Sequence, residues 1–367
     1  MTTVLISGAS VAGPTLAYWL KRHGFSPVVV ERNASMRPGG QAIDIRGVAI
    51  EVVSQMGLLE AVQAKRTRQK GFSLLDKDGK EQIHTTERTY SAGRFDSGDI
   101  EILKDDLSEL LYEATSRDVE YRFDDSIAAL KDTGGQVEVD FVSGKSERFD
   151  LVFGTDGIYS NTRRLVFGPH EQFLHHLGLY VGIFTVPNLV DLKDWQIGLR
   201  NETSGMIMYP ARDNSELRVF ASFESQQQLD RHMSVAAQKQ LIVDKCSGLG
   251  WEVPRLLHAM MASETFYFSP ISQTRMPSWS KGRVALVGDA AYCPSPRSGQ
   301  GTSLAMVGAY AIAQELARSV DPSSAFERCE VRMRPYVDAN QALAVKNRPD
   351  EKAADDAMAK AKNAFTL

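Results

Sequence analysis

Two stretches of this chain carry residues whose types and spacing could do chemistry. The first is Gly8-Ala9-Ser10-Val11-Ala12-Gly13. It approximates the G-x-G-x-x-G turn that cradles a dinucleotide. Gly8 suits the tight turn, and Gly13 lets a helix pack closely on a strand. The middle position must let backbone approach a pyrophosphate held at a helix N-terminus. Ser10 stands there, and it is small enough to permit that approach. Glu31 follows 18 residues after Gly13 and closes the next strand, where a carboxylate accepts ribose hydroxyls. An acidic residue there fits FAD or NAD and disfavours a ribose 2′-phosphate. The competing reading is a plain strand-to-helix turn beside a solvated glutamate.

The second stretch is Gly288-Asp289-Ala290-Ala291, continuing through Pro296, Gly299, Gln300, Gly301 and Thr302. A small-residue strand end with one carboxylate suits a polyol. Backbone comes close, and Asp289 accepts a hydroxyl of a ribityl chain. The helix that follows offers free N-terminal amides to an electron-rich ring edge.

The elements around these stretches are legible. Residues 3–7 read as a buried strand. An apolar helical pattern at Leu16, Ala17, Tyr18 and Leu20 ends at Gly24, and 27–30 form a second strand. Together they make a βαβ unit. Helices are expected at 48–56, 104–114, 235–246 and 303–318. A hairpin is expected over 71–86 around Asp78-Gly79. Short strands are expected at 119–122, 126–131, 136–142, 147–153, 177–186, 204–209 and 217–223. The tail 324–367 reads as helical, interrupted at Pro335 and Pro349. Strand–helix alternation at both ends around a strand-rich middle predicts an α/β protein with an inserted β-rich unit.

Composition excludes several classes. A net charge of −4 argues against a strongly basic nucleic-acid binder. No apolar run reaches the ~18 residues of a membrane span. The N-terminus lacks the basic and apolar regions of a signal peptide. Cys246, Cys293 and Cys329 are odd in number and far apart, which fits a reducing cytoplasm. His175-His176 has no metal-like partners and reads as a polar loop pair.

With these motifs in order, the sequence resembles the single-component FAD-dependent aromatic hydroxylases. The third signature of that family is matched by Gly154-Thr155-Asp156-Gly157, followed by Ser160 and Arg163. The closer likeness is to the tetracycline-inactivating flavin monooxygenases, through Gly39 to Arg46, Tyr18 to Pro27, Ser278 to Pro296 and a C-terminal helix. The resemblance implies a Rossmann-like FAD-binding domain from residues 1–71, 97–171 and 276–345. It implies a β-sheet-rich substrate domain from 72–96 and 172–275, and a C-terminal helix over 346–367.

The resemblance also implies roles. Gly8, Ser10, Val11, Ala12, Gly13, Glu31 and Arg32 would hold the ADP half of FAD. Asp156 and Asp289 would serve the middle of the cofactor. Asp44, Arg46, Lys104, Pro296, Gly299, Gln300, Gly301 and Thr302 would surround the flavin, and Arg37 would meet NADPH. Lys104 stands where relatives usually carry arginine. Tyr292 replaces a common histidine, Ser303 a common asparagine and Gly308 a common aspartate.

The implied reaction is NADPH-driven hydroxylation by O2 of a polycyclic phenolic or aromatic molecule, tetracyclines among them, through a flavin C4a-hydroperoxide. A cytoplasmic monomer is expected, with no nucleic-acid partner. A hydroxylase of another aromatic or polyketide metabolite is the alternative within that chemistry, and a flavin oxidase or dehydrogenase and a non-catalytic flavin-binding module are the competing classes. Substrate would meet Phe184, Met206, Met208, Tyr209, Phe220 and Pro296, unless these form plain core. Arg200 and Arg212 would meet an acidic or enolate group or stay solvated. Cys293 reads as a packed thiol, with a covalent flavin link as the alternative.

Overall fold

The structure is a computed structural model that describes residues 1–36, 39–90, 93–230, 232–345 and 350–367. Its centre is a six-stranded sheet in the order 280–281, 284–286, 151–154, 3–7, 26–31 and 120–123. The pairs are parallel except the 280–281/284–286 hairpin. These strands are short and rich in Val, Ile, Leu and Phe, as strands covered on both faces must be. The helices Ala12–Arg22 and Gly301–Ala317 cover one face in the largest apolar cluster. A three-stranded sheet, 127–132, 137–141 and 146–149, packs on the other.

A second, seven-stranded sheet runs in the order 266–274, 174–187, 216–224, 204–211, 196–200, 72–75 and 81–85. One face is sealed by helices Val235–Cys246 and Val253–Ala262. The other looks toward residues 39–46. The result is a mixed α/β fold: a Rossmann-like sheet with a β-rich sheet inserted into the chain that builds it. Among the described residues, no helix is long and apolar enough to cross a membrane.

Two sequence expectations are corrected. The expected strand 147–153 is two strands, Ser146–Phe149 and Leu151–Gly154. Asp150 breaks it by accepting hydrogen bonds from the Thr3 amide at 2.7 Å and the Thr3 hydroxyl at 2.9 Å. The chain passes there from the antiparallel sheet to the parallel one. Pro335 does not interrupt its helix, which runs unbroken over Pro322–Val345. A single lost amide bond is outweighed by burial of Met333, Tyr336 and Val337 around it. Pro349 lies outside the described residues. The parallel pairing of 72–75 with 196–200 has no local signal, because it joins segments ~120 residues apart.

Two departures from the family pattern prove to be one packing arrangement. A Cβ on Gly308 would collide with the hydroxyl of Tyr292. Gly308 sits in the long helix, and Tyr292 ends the short helix Asp289–Tyr292. The larger ring at 292 therefore requires the missing side chain at 308. We expect Gly308→Ala to lower stability by roughly 1–3 kcal/mol. Adding Tyr292→Phe, which removes the hydroxyl, should recover part of the loss in denaturant unfolding. No destabilisation by Gly308→Ala would refute the pairing.

Candidate active site

The glycine stretches meet at the carboxyl ends of adjacent parallel strands. Gly154 pairs with Ser7 on one side and with Leu286 on the other. This is where open α/β sheets bind ligands. Gly8 has a φ of +110°, and a Cβ there would lie 2.8 Å from the Thr155 carbonyl oxygen. A Cβ on Gly13 would collide with the Gly8 carbonyl. A Cβ on Gly288 would lie 3.2 Å from that of Ala12 and 3.4 Å from that of Ala305. Thr155 locks the junction, donating its hydroxyl to Ser7 O at 2.8 Å and Gly8 O at 2.9 Å. The three stretches thus form one concave junction of bare backbone.

Its polar groups suit a dinucleotide. No side chain caps the first turn of helix Ala12–Arg22 or of helix Gly301–Ala317. Glu31 accepts from the Ala9 amide at 2.9 Å and from Asn33 at 2.7 Å, so the carboxylate is held at the turn. Arg32 is exposed beside it, and Val11 and Ala12 are buried in the turn. Burial pushes the Asp289 carboxyl above its ordinary range, and Lys104 opposes this. Asp289 Oδ1 would lie 3.8 Å from a Cβ on Gly301, which places the carboxylate at the start of the long helix. Thr302 is half-buried in that first turn, and Pro296 is exposed at its approach. Gln300 is fully buried, its amide carbonyl without a partner, while its amide nitrogen donates to Met358 Sδ at 2.8 Å. An orphaned acceptor and a backbone cradle are what a bound flavin would complete.

Asp156 has a local task. Its oxygens accept from the Ser160 hydroxyl at 2.5 Å, the Thr162 amide at 2.9 Å and the Thr162 hydroxyl at 3.0 Å. It shapes the turn that supports Gly8. Arg163, completely buried, then ties this turn to the late motif by donating to Ala290 O at 2.8 Å. Ser303 accepts from the Arg46 amide at 3.0 Å, fastening the 44–47 turn to the long helix.

The substrate-side expectations divide by strand face. Directly paired residues share a face. Phe184 pairs with Val219, Met208 with Val219, and Met206 with Ala221. All lie in the apolar cluster with helices Val235–Cys246 and Val253–Ala262. Phe184, Met206 and Met208 are therefore core of the inserted sheet and do not line the site. Tyr209 and Phe220 are on the opposite face. Tyr209 pairs with Arg218, and Phe220 with Ile183 and Ile207. The Tyr209 hydroxyl accepts from the Ala42 amide at 2.6 Å, so this face meets the 39–46 segment. Arg37 lies outside the described residues.

Sequence reasoning missed Arg218. It is buried and donates to Glu216 at 2.7 Å, but its Nε and Nη1 have no hydrogen-bond partner. A strand alternation count places it beside Phe220, yet only the tertiary structure shows which face is the open one. Arg212 instead pairs with Asp106 at 2.8 Å and Asp105 at 2.9 Å, and Arg200 is exposed. Cys293 is a packed thiol, donating to Ser272 O at 3.8 Å. His176 binds Ser225 O through Nε2 at 2.9 Å.

A buried charge cluster lies beside the junction. Arg46 holds Asp44 at 2.8 Å and reaches Asp99 at 3.5 Å. Burial pushes the Asp44 carboxyl up to about 7; Arg46 opposes this, and Glu101 and Asp99 add to it. Asp44 Oδ1 has no partner.

Comparison with known proteins agrees with this geometry. The family described as "FAD binding domain" matches residues 1–325. An uncharacterized protein of Mycobacterium tuberculosis strain H37Rv is 48% identical over 350 residues, covering 95% of this chain and 94% of its own. A flavin-dependent monooxygenase of Legionella longbeachae is 41% identical over 345 residues, covering 93% and 87%. The crystal structure of tetracycline destructase Tet(51) superposes with a TM-score of 0.89 at 34% identity, covering 100% of this chain and 99% of its own. That of Tet(55) gives 0.88 at 36% identity, covering 99% and 97%.

The Asp44 carboxyl sets a pH dependence. Folded, it keeps its proton to about pH 7, whereas the unfolded chain releases it near 3.8. Between those values the folded state binds more protons, so this group's contribution makes stability fall as pH rises. Asn at 44 is neutral throughout. The stability of Asp44→Asn relative to the native flavin-free protein should therefore rise by roughly 1–3 kcal/mol from pH 5 to pH 7 in denaturant unfolding. A constant difference would mean that Asp44 is ionised across the range.

Proposed function

The chain belongs to the flavin-dependent monooxygenases that carry the FAD binding domain, and on that premise we propose that it uses NADPH and O2 to hydroxylate a polycyclic phenolic molecule, tetracyclines first among them. The observation that carries this reading is the junction of Gly8, Thr155 and Gly288, taken with the face of the inserted sheet that carries Arg218, Tyr209 and Phe220 and meets the 39–46 segment. The overlap with two tetracycline destructases supports the substrate class.

In this reading Gly8, Ser10, Val11, Ala12, Gly13, Glu31 and Arg32 hold the ADP half of FAD. Asp289 takes the ribityl chain, opposite Lys104. Gly299, Gln300, Gly301 and Thr302 offer the helix N-terminus to the flavin's pyrimidine edge, where negative charge on the reduced ring is stabilised. Asp156 acts through the turn beneath Gly8. Residues 1–71, 97–171 and 276–345 form the FAD-binding domain, and 72–96 with 172–275 the substrate domain. The discontinuous segments of the two large sheets support that division. Bound flavin, once reduced, supplies the activation of O2; one oxygen atom goes to the substrate carbon and the other leaves as water.

The protein's part is to bind, orient and exclude water. Phe220 and Ile207 give an apolar wall to a ring system. The two unpartnered nitrogens of Arg218 suit an enolate or phenolate oxygen of the substrate, a charge-assisted pairing in a dry site. Pro296 borders the approach.

The FAD-loaded protein should oxidise NADPH faster with tetracycline present, and the product should gain one oxygen atom by mass. Unchanged tetracycline beside turnover of another phenolic or polyketide compound would overturn the tetracycline assignment alone. Flavin reduction by substrate without NADPH would overturn the monooxygenase mechanism. Arg218→Met should raise the KM for an enolate-bearing substrate about 10- to 100-fold and lower kcat far less. An unchanged KM would remove Arg218 from the substrate site.

A further inference from the structure

The final helix, Glu351–Lys362, is docked at both ends. At its start, Glu351 and Asp355 pair with Arg88 at 3.1 and 3.2 Å. At its end, Asn340 donates to Ala361 O at 3.1 Å, Arg332 donates to Thr366 O at 3.2 Å, and Phe365 is buried against Tyr336. Docking therefore has several anchors besides Lys362. Yet Lys362 is also turned inward and buried, with its Nζ 2.7 Å from Asp99 Oδ1 and 3.2 Å from Ser97 O. A solvated surface would have suited a lysine better, so its burial calls for a partner.

That partner leads back to the site. Asp99 is almost fully enclosed and also faces Arg46, which binds Asp44 at 2.8 Å. The Arg46 guanidinium lies against the late glycine loop: a Cβ on Gly299 would be 3.3 Å from its Nη2. The 44–47 turn itself touches the helix end, since a Cβ on Gly47 would collide with the Lys362 carbonyl. A row of alternating basic and acidic side chains thus runs Lys362, Asp99, Arg46, Asp44, from the last helix to the loop assigned above to the flavin edge. Glu101 adds a further negative charge beside Arg46.

We propose that Lys362 is a positioning residue for the flavin site: by neutralising Asp99 it leaves Arg46 bound to Asp44, with its guanidinium at the Gly299 loop. Without that ammonium group, a buried carboxylate competes for Arg46 in a medium where such attraction is strong. The guanidinium then moves toward Asp99 and away from the loop. The inference rests on the flavin reading of the preceding section. It adds that the C-terminal helix acts on the cofactor site through charge.

The test is FAD binding to the full-length chain, measured by flavin fluorescence quenching with melting temperature recorded alongside. Lys362→Met should weaken FAD binding about 10-fold, and Lys362→Arg should stay within about threefold of the native protein. Asp99→Asn removes the competing carboxylate, so it should also stay within threefold. In that background, adding Lys362→Met should cost no more than about threefold. Native affinity in Lys362→Met would overturn the proposal. So would a 10-fold loss in Asp99→Asn, or an equal loss from Lys362→Met in both backgrounds, which would mark a purely structural lysine. Should Lys362→Met fail to fold, Asp99→Asn and Lys362→Arg still decide the matter. A native chain that binds no FAD would sink the site reading as well, whereas the variant outcomes sink only the role of Lys362.

Discussion

The site depends on backbone meeting backbone at the ends of parallel strands. Strand 151–154 lies between 3–7 and 284–286, so the turns that leave them must share one small space. Side chains would fill it. Gly8, Gly13 and Gly288 keep it open, and the Thr155 hydroxyl bridges the Ser7 and Gly8 carbonyls. The same emptiness that lets the elements pack leaves their amides aimed at a ligand. Packing and binding are one constraint here, so the turns tolerate little change even where they touch no cofactor.

Around that junction the protein buries basic and acidic side chains in alternating order. Asp44, Arg46, Asp99 and Lys362 come from three separate parts of the chain. Buried ion pairs of this kind add little net stability, because desolvation offsets their attraction. Their value lies in geometry: each charge restricts where its neighbour can sit. Arg46 is held from two sides and by its own amide on Ser303, which leaves the guanidinium beside the Gly299 loop.

The inserted sheet shows how one strand serves two purposes. Leu217, Val219, Ala221 and Phe223 face the covering helices and make the sheet stable. Arg218 and Phe220, alternating with them, lie on the other face, where Tyr209 meets Ala42 and Arg218 lies near Gly39. Apolar character pointed equally to both faces, so Met206, Met208 and Phe184 looked as suitable for a substrate as Phe220 did. The helices Val235–Cys246 and Val253–Ala262 settle the matter by occupying one face.

Local pattern alone determined the βαβ start, the acidic strand end at Glu31, most strands of the inserted sheet and the identity of the glycine turns. Each follows from short-range sterics and period, which need no distant partner. The paired change of Tyr292 and Gly308 was visible as two oddities, and only contact showed them to be one. The face of the inserted sheet, the unpartnered nitrogens of Arg218 and the path from Lys362 to Arg46 were decided by tertiary structure. Those features join residues tens to hundreds of positions apart. Burial, which makes a charge or an orphaned nitrogen informative, exists only once the chain has folded around it.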